Sequence, residues 1–181
     1  MINHFLTIPG FGSSGPAHWQ TIWEDQYKGK FSRLEQRDWE NPEKTEWVEN
    51  LQNQVQNLTE PTILIAHSLG CLTVVHWAAK YSSDLIKGAF LVAPADAEQD
   101  NFPEVIKNFS PVPTLKIAFP TILVASTNDE YSSIKRAEFF AESWGSHFIN
   151  IGDFGHINAH SGLGDWQAGK NIFTENFSIR F

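Results

Sequence analysis

Residues 62–79 read Thr62-Ile63-Leu64-Ile65, then Ala66-His67-Ser68-Leu69-Gly70, then Cys71-Leu72-Thr73-Val74-Val75-His76-Trp77-Ala78-Ala79. The opening run is apolar and β-type, and the closing run is apolar and long enough for a buried helix. Between them a serine stands in a turn of small residues. A strand that turns sharply into a helix lifts such a serine above the sheet edge, and this spacing is that of the G-x-S-x-G nucleophile elbow. Ala66 takes the place of the first glycine, and alanine is still small. The plainer alternative is a βα turn whose helix is capped by Ser68, a good N-cap residue.

Outward from this stretch, short apolar runs alternate with amphipathic ones. Ile2 to Ile8 predicts a first strand, ended by Pro9-Gly10. The loop Pro9-Gly10-Phe11-Gly12-Ser13-Ser14-Gly15-Pro16 is rich in glycine. It holds no lysine for a phosphate, and it suits backbone amides bared toward an oxyanion. A helix is expected from Pro16, with Trp19, Ile22, Trp23 and Tyr27 on one face. Phe31 to Trp39 reads as a second strand. Asn41-Pro42-Glu43 reads as a helix start, with Trp47, Leu51, Val55 and Leu58 as the buried face. After the elbow come a strand over Gly88–Ala93 and an irregular excursion from Pro94 to Pro120 with a short helix near Glu104. A connection this long is expected to be a lid or binding loop. Thr121–Ser126 predicts a fifth strand. Ser132 or Ser133 then caps a helix with Ala137, Phe140, Ala141 and Trp144 inward and Gly145 as its stop. His147–Ile151 predicts a sixth strand, and Asp165–Phe177 a last helix. Strands alternating with helices give one three-layer α/β domain over residues 1–181, with a mostly parallel sheet of about six strands.

Composition narrows the function. The formal net charge of −8 argues against nucleic acid or an anionic membrane as partner, because phosphates need a basic face. No apolar run approaches a membrane span, and the N-terminus lacks a basic signal region, so a cytoplasmic protein is expected. The single cysteine, Cys71, rules out an internal disulfide or a multi-thiolate metal site. No H-E-x-x-H occurs, and the histidine spacing asks for no zinc; neither metal nor cofactor is expected. Seven tryptophans and 14 phenylalanines point to aromatic packing or an aromatic-lined pocket.

Ligands of a parallel sheet sit at the carboxyl ends of its strands. Ser68, Asp129 and His156 each follow a predicted strand, and the order nucleophile, acid, histidine is that of the α/β-hydrolases. A serine hydroxyl attacks only when an imidazole takes its proton, and a carboxylate must fix that imidazole's tautomer and stabilise its cation. Asp129 competes with Glu130 and Asp153; it is preferred because it leaves a strand directly. His156 competes with His67, His76, His147 and His160. His67 is expected to point away from the serine, and His76 to be a satisfied core or helix-end residue. Gly155, a flexible approach after the last strand, favours His156 over His160. The backbone amides of Leu69 and Phe11 are the expected oxyanion donors.

Together these residues make the chain resemble the small single-domain serine hydrolases typified by retinoblastoma-binding protein nine and its bacterial relatives. The resemblance runs through Pro9-Gly10-Phe11-Gly12, Ser14-Gly15-Pro16, His18-Trp19-Gln20, Ala66 to Cys71 and His76-Trp77. It continues through Ala93-Pro94-Ala95-Asp96, Ala125 to Asp129, Gly155-His156-Ile157-Asn158 and Ser161-Gly162. It implies an α/β-hydrolase fold with a reduced sheet and carries the triad onto Ser68, Asp129 and His156. The L-x-C-x-E segment of the human member is not matched: Leu69 and Cys71 are in register, but Thr73 replaces the glutamate. The expectation is a serine hydrolase for a small-molecule acyl substrate, monomeric or weakly self-associating. The rival from another class is a non-catalytic interaction module on the same scaffold, and a nucleotide-binding flavodoxin-like protein stands third.

Overall fold

The β-type runs of the sequence become six strands that all lie parallel, in the order β2-β1-β3-β4-β5-β6. This is a computed structural model, which describes residues 2, 4–100 and 102–179. The strands are β1 His4–Ile8, β2 Phe31–Arg33, β3 Thr62–His67, β4 Ile86–Val92, β5 Thr121–Ala125 and β6 His147–Asn150. The helices are α1 Trp19–Gln26, α2 Lys44–Gln56, α3 Leu69–Lys80, α4 Ile134–Trp144 and α5 Gln167–Phe177.

Side chains alternate across a strand, so the central strands are apolar on both sides. Leu6, Ile8, Leu64, Leu91 and Leu123 face one layer, with Trp47 and Leu51 of α2, Leu72 and Val75 of α3, and Phe140 and Trp144 of α4. Phe5, Ile63, Ile65, Phe90 and Val124 face the other, with Trp19 and Trp23 of α1 and Phe173 of α5. Most of the aromatic residues therefore lie in these two layers or pack against them. The chain begins mid-sheet, runs out to β2 and crosses back to β3. The strand order thus reverses between β1 and β3, and a crevice opens at their carboxyl ends.

Three expected boundaries move, each for a physical reason. The second strand stops at Arg33 instead of reaching Trp39, because its partner β1 ends at Ile8 and offers only three residues of register. Beyond it, the Asp38 carboxylate accepts the amides of Glu40 and Asn41 at 2.9 Å and folds the chain into a turn. The same contacts take Asn41 away from capping. α2 instead starts at Lys44, whose amide donates to Asn108 Oδ1 at 2.7 Å, a cap delivered from a distant segment. α1 starts at Trp19 rather than Pro16, because His18 is its N-cap and its Nδ1 accepts the amide of Gln20 at 3.2 Å. The described part of the first strand begins at His4, and Asn3 lies outside the described residues.

The described residues of the 94–120 excursion pack against the helices beside them. A 3-10 helix, Glu104–Phe109, buries Ile106 and Phe109. Asn108 ties it to α2, His76 Nε2 donates to the Phe109 carbonyl at 2.7 Å, and Trp144 Nε1 donates to the Pro113 carbonyl at 2.7 Å.

Candidate active site

β3 delivers its last residue, His67, and the chain then turns through Ser68 at φ 55° and ψ −123° before α3 begins at Leu69. A positive φ is costly for a residue with a Cβ, of order 1–3 kcal/mol, and persists only where the surroundings over-determine it. Here they do: the Ser68 amide donates to the Val92 carbonyl at 3.0 Å, and its carbonyl accepts the Cys71 amide at 3.0 Å. Gly70 lies hard against the end of β1, where an added Cβ would stand 2.1 Å from the Ile8 carbonyl oxygen. Ala66 needs no such freedom, since it sits in regular strand paired with Ile8 on one side and Leu91 on the other.

Ser68 Oγ lies 2.7 Å from His156 Nε2. His156 Nδ1 lies 2.9 Å from both carboxylate oxygens of Asp129. A carboxylate only accepts, so Nδ1 carries the proton and Nε2 is left as acceptor for the serine hydroxyl. Both side chains are buried, and Asp129 Oδ1 also accepts the Tyr131 amide at 2.9 Å. Asp153 lies exposed on the surface, and His160, also exposed, lines the cavity around Ser68 but makes no hydrogen bond to it. His156 and His160 have a metal-like four-residue spacing, but both ring nitrogens of His156 are already engaged. His147, also exposed, bonds Asn176.

Side chains given no role in the site from the sequence hold the two loops that carry Asp129 and His156. Ser126 Oγ accepts the Phe154 amide at 2.9 Å, and Asn128 Oδ1 accepts the Gly155 amide at 2.7 Å. The Trp19 indole donates to the Ile157 carbonyl at 2.8 Å. His67, set aside on the sequence, belongs to the site. Its Nε2 donates to the His156 carbonyl at 2.9 Å, and its ring lies 4.9 Å from that of His156. Burial first, and then the neighbouring imidazoles of His18 and His156, push the His67 pKa well below its ordinary value. His18 is pushed down to about 3 by burial, Arg33 and His156. Both rings are therefore neutral at ordinary pH. The signal available in the sequence for these residues was the cluster of short motifs itself, since no spacing rule connects positions so far apart.

The glycine-rich loop folds against the elbow. A Cβ on Gly10 would stand 2.8 Å from Ser68 Cβ and 3.0 Å from the Leu69 nitrogen. Ser13 N donates to the Gly10 carbonyl at 3.1 Å, a turn with Phe11 and Gly12 at its two central positions. Leu69, first residue of α3, has no carbonyl behind it within its helix. Gly10, Gly12 and Gly15 have the spacing of a dinucleotide fingerprint, but α1 does not open until Trp19, so they do not abut a helix N-terminus. Gln20 fixes the loop: its Oε1 accepts from Ser14 Oγ at 2.7 Å and its Nε2 donates to the Ile65 carbonyl at 2.9 Å. A cavity of about 360 Å³ has Ser68 and His156 in its lining, together with the apolar Phe102, Pro103 and Ile106 and the polar Ser13, Asn158 and His160. Cys71 lies below it, buried, with its thiol pushed up out of the reactive range by desolvation.

No helix among the described residues is long and apolar enough to cross a membrane. No curated protein gives a significant match to the chain. Among solved structures, a YdeN-like hydrolase from Pectobacterium atrosepticum is similar at a TM-score of 0.86 and 32% identity, over 97% of this chain and 91% of that one. The ydeN gene product of B. subtilis has a TM-score of 0.81 at 18% identity, over 98% of this chain and 100% of that one. A monoacylglycerol lipase from Paleococcus ferrophilus has a TM-score of 0.70 at 14% identity, over 96% and 92% of the two chains. The last two carry the fold alone, which is that of the α/β-hydrolases. The model of the serine hydrolase family matches residues 5–175, nearly the whole chain, and the protein belongs to that family.

Proposed function

We propose that the protein hydrolyses small acyl compounds (esters, thioesters or small amides) through an acyl-serine intermediate, with Ser68, His156 and Asp129 as its triad. The observation that carries this reading is the unbroken chain of contacts, 2.7 Å from Ser68 Oγ to His156 Nε2 and 2.9 Å from His156 Nδ1 to Asp129. Ser68 Oγ attacks the acyl carbon while His156 Nε2 takes its proton, and Asp129 stabilises the imidazolium that forms. The tetrahedral oxyanion is held by the amides of Leu69 and Phe11. The bond to the leaving group then breaks, and that group leaves with the proton from His156. Water repeats the sequence on the acyl-serine, freeing the acid and the serine.

A non-catalytic scaffold would have no use for a serine held at φ 55° beside a neutral, oriented imidazole. The cavity volume of about 360 Å³ lies at the low end for ligand sites and suits a short acyl group. The charge of −8 supports a neutral or cationic small-molecule substrate over a phosphate polymer, and we place the protein in the cytoplasm as a monomer or weak oligomer. A fluorophosphonate probe should label the wild-type protein and leave Ser68→Ala unlabelled. Asp129→Asn should lose on the order of 10⁴-fold in ester turnover, and Asp153→Asn should lose nothing. Labelling that survives Ser68→Ala, or a loss confined to Asp153→Asn, would refute the assignment.

A further inference from the structure

Ile157 follows His156 directly, is fully buried, and has its backbone at φ 49°. For a side chain branched at Cβ this is a disfavoured conformation, kept only where the surroundings impose it. Two side-chain donors act on the consecutive carbonyls here. His67 Nε2, at the end of β3, donates to the His156 carbonyl at 2.9 Å. Trp19 Nε1, at the start of α1, donates to the Ile157 carbonyl at 2.8 Å. The amide of that second peptide, Asn158 N, donates to Ser161 Oγ at 3.1 Å. Ser161 belongs to the same turn, so this bond moves with the turn and does not anchor it.

Relaxing Ile157 to a negative φ requires rotation about its N–Cα bond. The rotation moves either the His156–Ile157 peptide, and His156 with it, or the Ile157 carbonyl. The first motion breaks the His67 bond, and the second breaks the Trp19 bond. Removing the indole N–H therefore frees one end of the segment that carries the imidazole. The ring of Trp19 is itself fixed: it is 1% exposed and stands 4.8 Å from the ring of Trp23 and 5.1 Å from that of Trp166. A buried indole N–H finds an acceptor somewhere. Here the acceptor belongs to the strained residue that adjoins His156.

Resting on the acyl-serine reading above, we infer that Trp19 is a positioning residue: its indole N–H holds Ile157 in the left-handed conformation and thereby sets His156 Nε2 against Ser68 Oγ. That pair stands at 2.7 Å, and a misplacement of about 1 Å costs about 10²-fold in rate. Asp129 still accepts from His156 Nδ1 when the indole bond is lost, so a smaller displacement and a smaller loss are expected.

The test compares turnover of 4-nitrophenyl butyrate and uptake of a fluorophosphonate in wild type, Trp19→Phe, Ile157→Gly and the double variant. Phenylalanine keeps an aromatic ring in the cluster and lacks the N–H. Glycine takes a positive φ without steric cost, so in its background the restraint is not needed. Trp19→Phe should lower kcat about tenfold with KM little changed, and should slow probe uptake without lowering its final extent. In the Ile157→Gly background the same substitution should cost about threefold or less. An unchanged kcat in Trp19→Phe, an equal loss in both backgrounds, or a lowered final extent with an unchanged rate of uptake overturns the assignment. A further form of the protein, with benzothienylalanine in place of Trp19, keeps the fused rings and replaces the N–H by sulfur. A wild-type kcat in that form also overturns the assignment, whether or not the glycine variants fold. Wild-type protein that neither turns over butyrate nor takes up the fluorophosphonate overturns the acyl-serine reading, and this inference with it.

Discussion

Replacing Gly70 with alanine puts a methyl carbon 2.1 Å from the carbonyl oxygen of Ile8, 2.7 Å from that of Pro9 and 2.9 Å from the Ile8 carbonyl carbon. Carbon and carbonyl oxygen settle at about 3.3 Å even in an attractive contact, so α3 and the end of β1 must part by about 1.2 Å. All three obstacles are backbone, and no side chain can swing aside to accommodate the methyl. Overpacking of this kind costs about 1–3 kcal/mol, and the upper end applies where two backbones meet. The displaced segment runs directly into Gly10 and Phe11, so the amide meant for the oxyanion moves with it. Loss of one such donor costs about 10²–10³ in rate. The expected outcome for Gly70→Ala is therefore a urea midpoint lowered by about 2–3 kcal/mol of stability, with fluorophosphonate labelling slowed at least about a hundredfold in protein that is still folded. Ala66→Gly, which completes the motif on paper, should bring no gain in labelling and lose about 0.5–1 kcal/mol of stability, because glycine weakens a strand interior. A Gly70→Ala protein with wild-type labelling rate and midpoint would refute the claim that the glycine serves the β1–α3 approach.

Two further expectations concern His18 and His67, which line the same cavity as Ser68. His67→Phe keeps a ring between His18 and His156 but gives up the bond to the His156 carbonyl; kcat should fall about tenfold with KM little changed. His67→Gln restores a donor of the same reach and most of the rate, and equal losses in the two variants would assign the effect to the ring's shape instead. Stability should also fall on acidification below about pH 6.5, the ordinary histidine value. His18, its folded pKa pushed down to about 3, stays neutral in the folded protein while the unfolded chain takes up a proton. The unfolded state then binds more protons, so His18 contributes a slope of about 1.4 kcal/mol per pH unit over that interval, and His67 adds to it in the same direction. Urea titrations at a series of pH values check this: His18→Gln should flatten the slope, and an unchanged slope would contradict the burial argument.

The sheet was legible because its central strands are buried on both faces and so stand out as unbroken apolar runs; Thr62–Ile65 and Thr121–Ala125 needed no knowledge of their neighbours. The second strand was misjudged because Phe31 to Trp39 is long enough in sequence, whereas its real length is set by a partner that ends at Ile8. α2 was placed early for a related reason: Asn41-Pro42-Glu43 has the chemistry of a helix start, but the cap that acts comes from Asn108, far along the chain. Ser68, Asp129 and His156 could be singled out because each follows a strand, a local property. His67 was set aside because alternation along β3 turns it from the serine. What returns it to the site is the carbonyl of His156, 89 positions away in sequence.

The same long-range logic explains why the acid and the cavity wall are built as one body. The Asp96 amide donates to the Tyr131 carbonyl at 2.9 Å, two residues beyond Asp129. The Asp96 carboxylate in turn accepts from Arg136 Nε of α4 at 3.0 Å. Glu98 bonds the same guanidinium and accepts the Val112 amide at 2.8 Å. Residues just after β4, the first turn of α4 and the far end of the excursion thus meet at Arg136. Tyr131, whose amide donates to Asp129, packs its ring 4.5 Å from His156 and 5.9 Å from Phe102. The apolar wall is thus tied to Asp129 and His156 through Tyr131. In the proposed reaction, a short acyl group packed against Phe102 and Ile106 would be held in register with Ser68 by the same groups that hold Asp129, and fixing that register is where binding energy becomes rate.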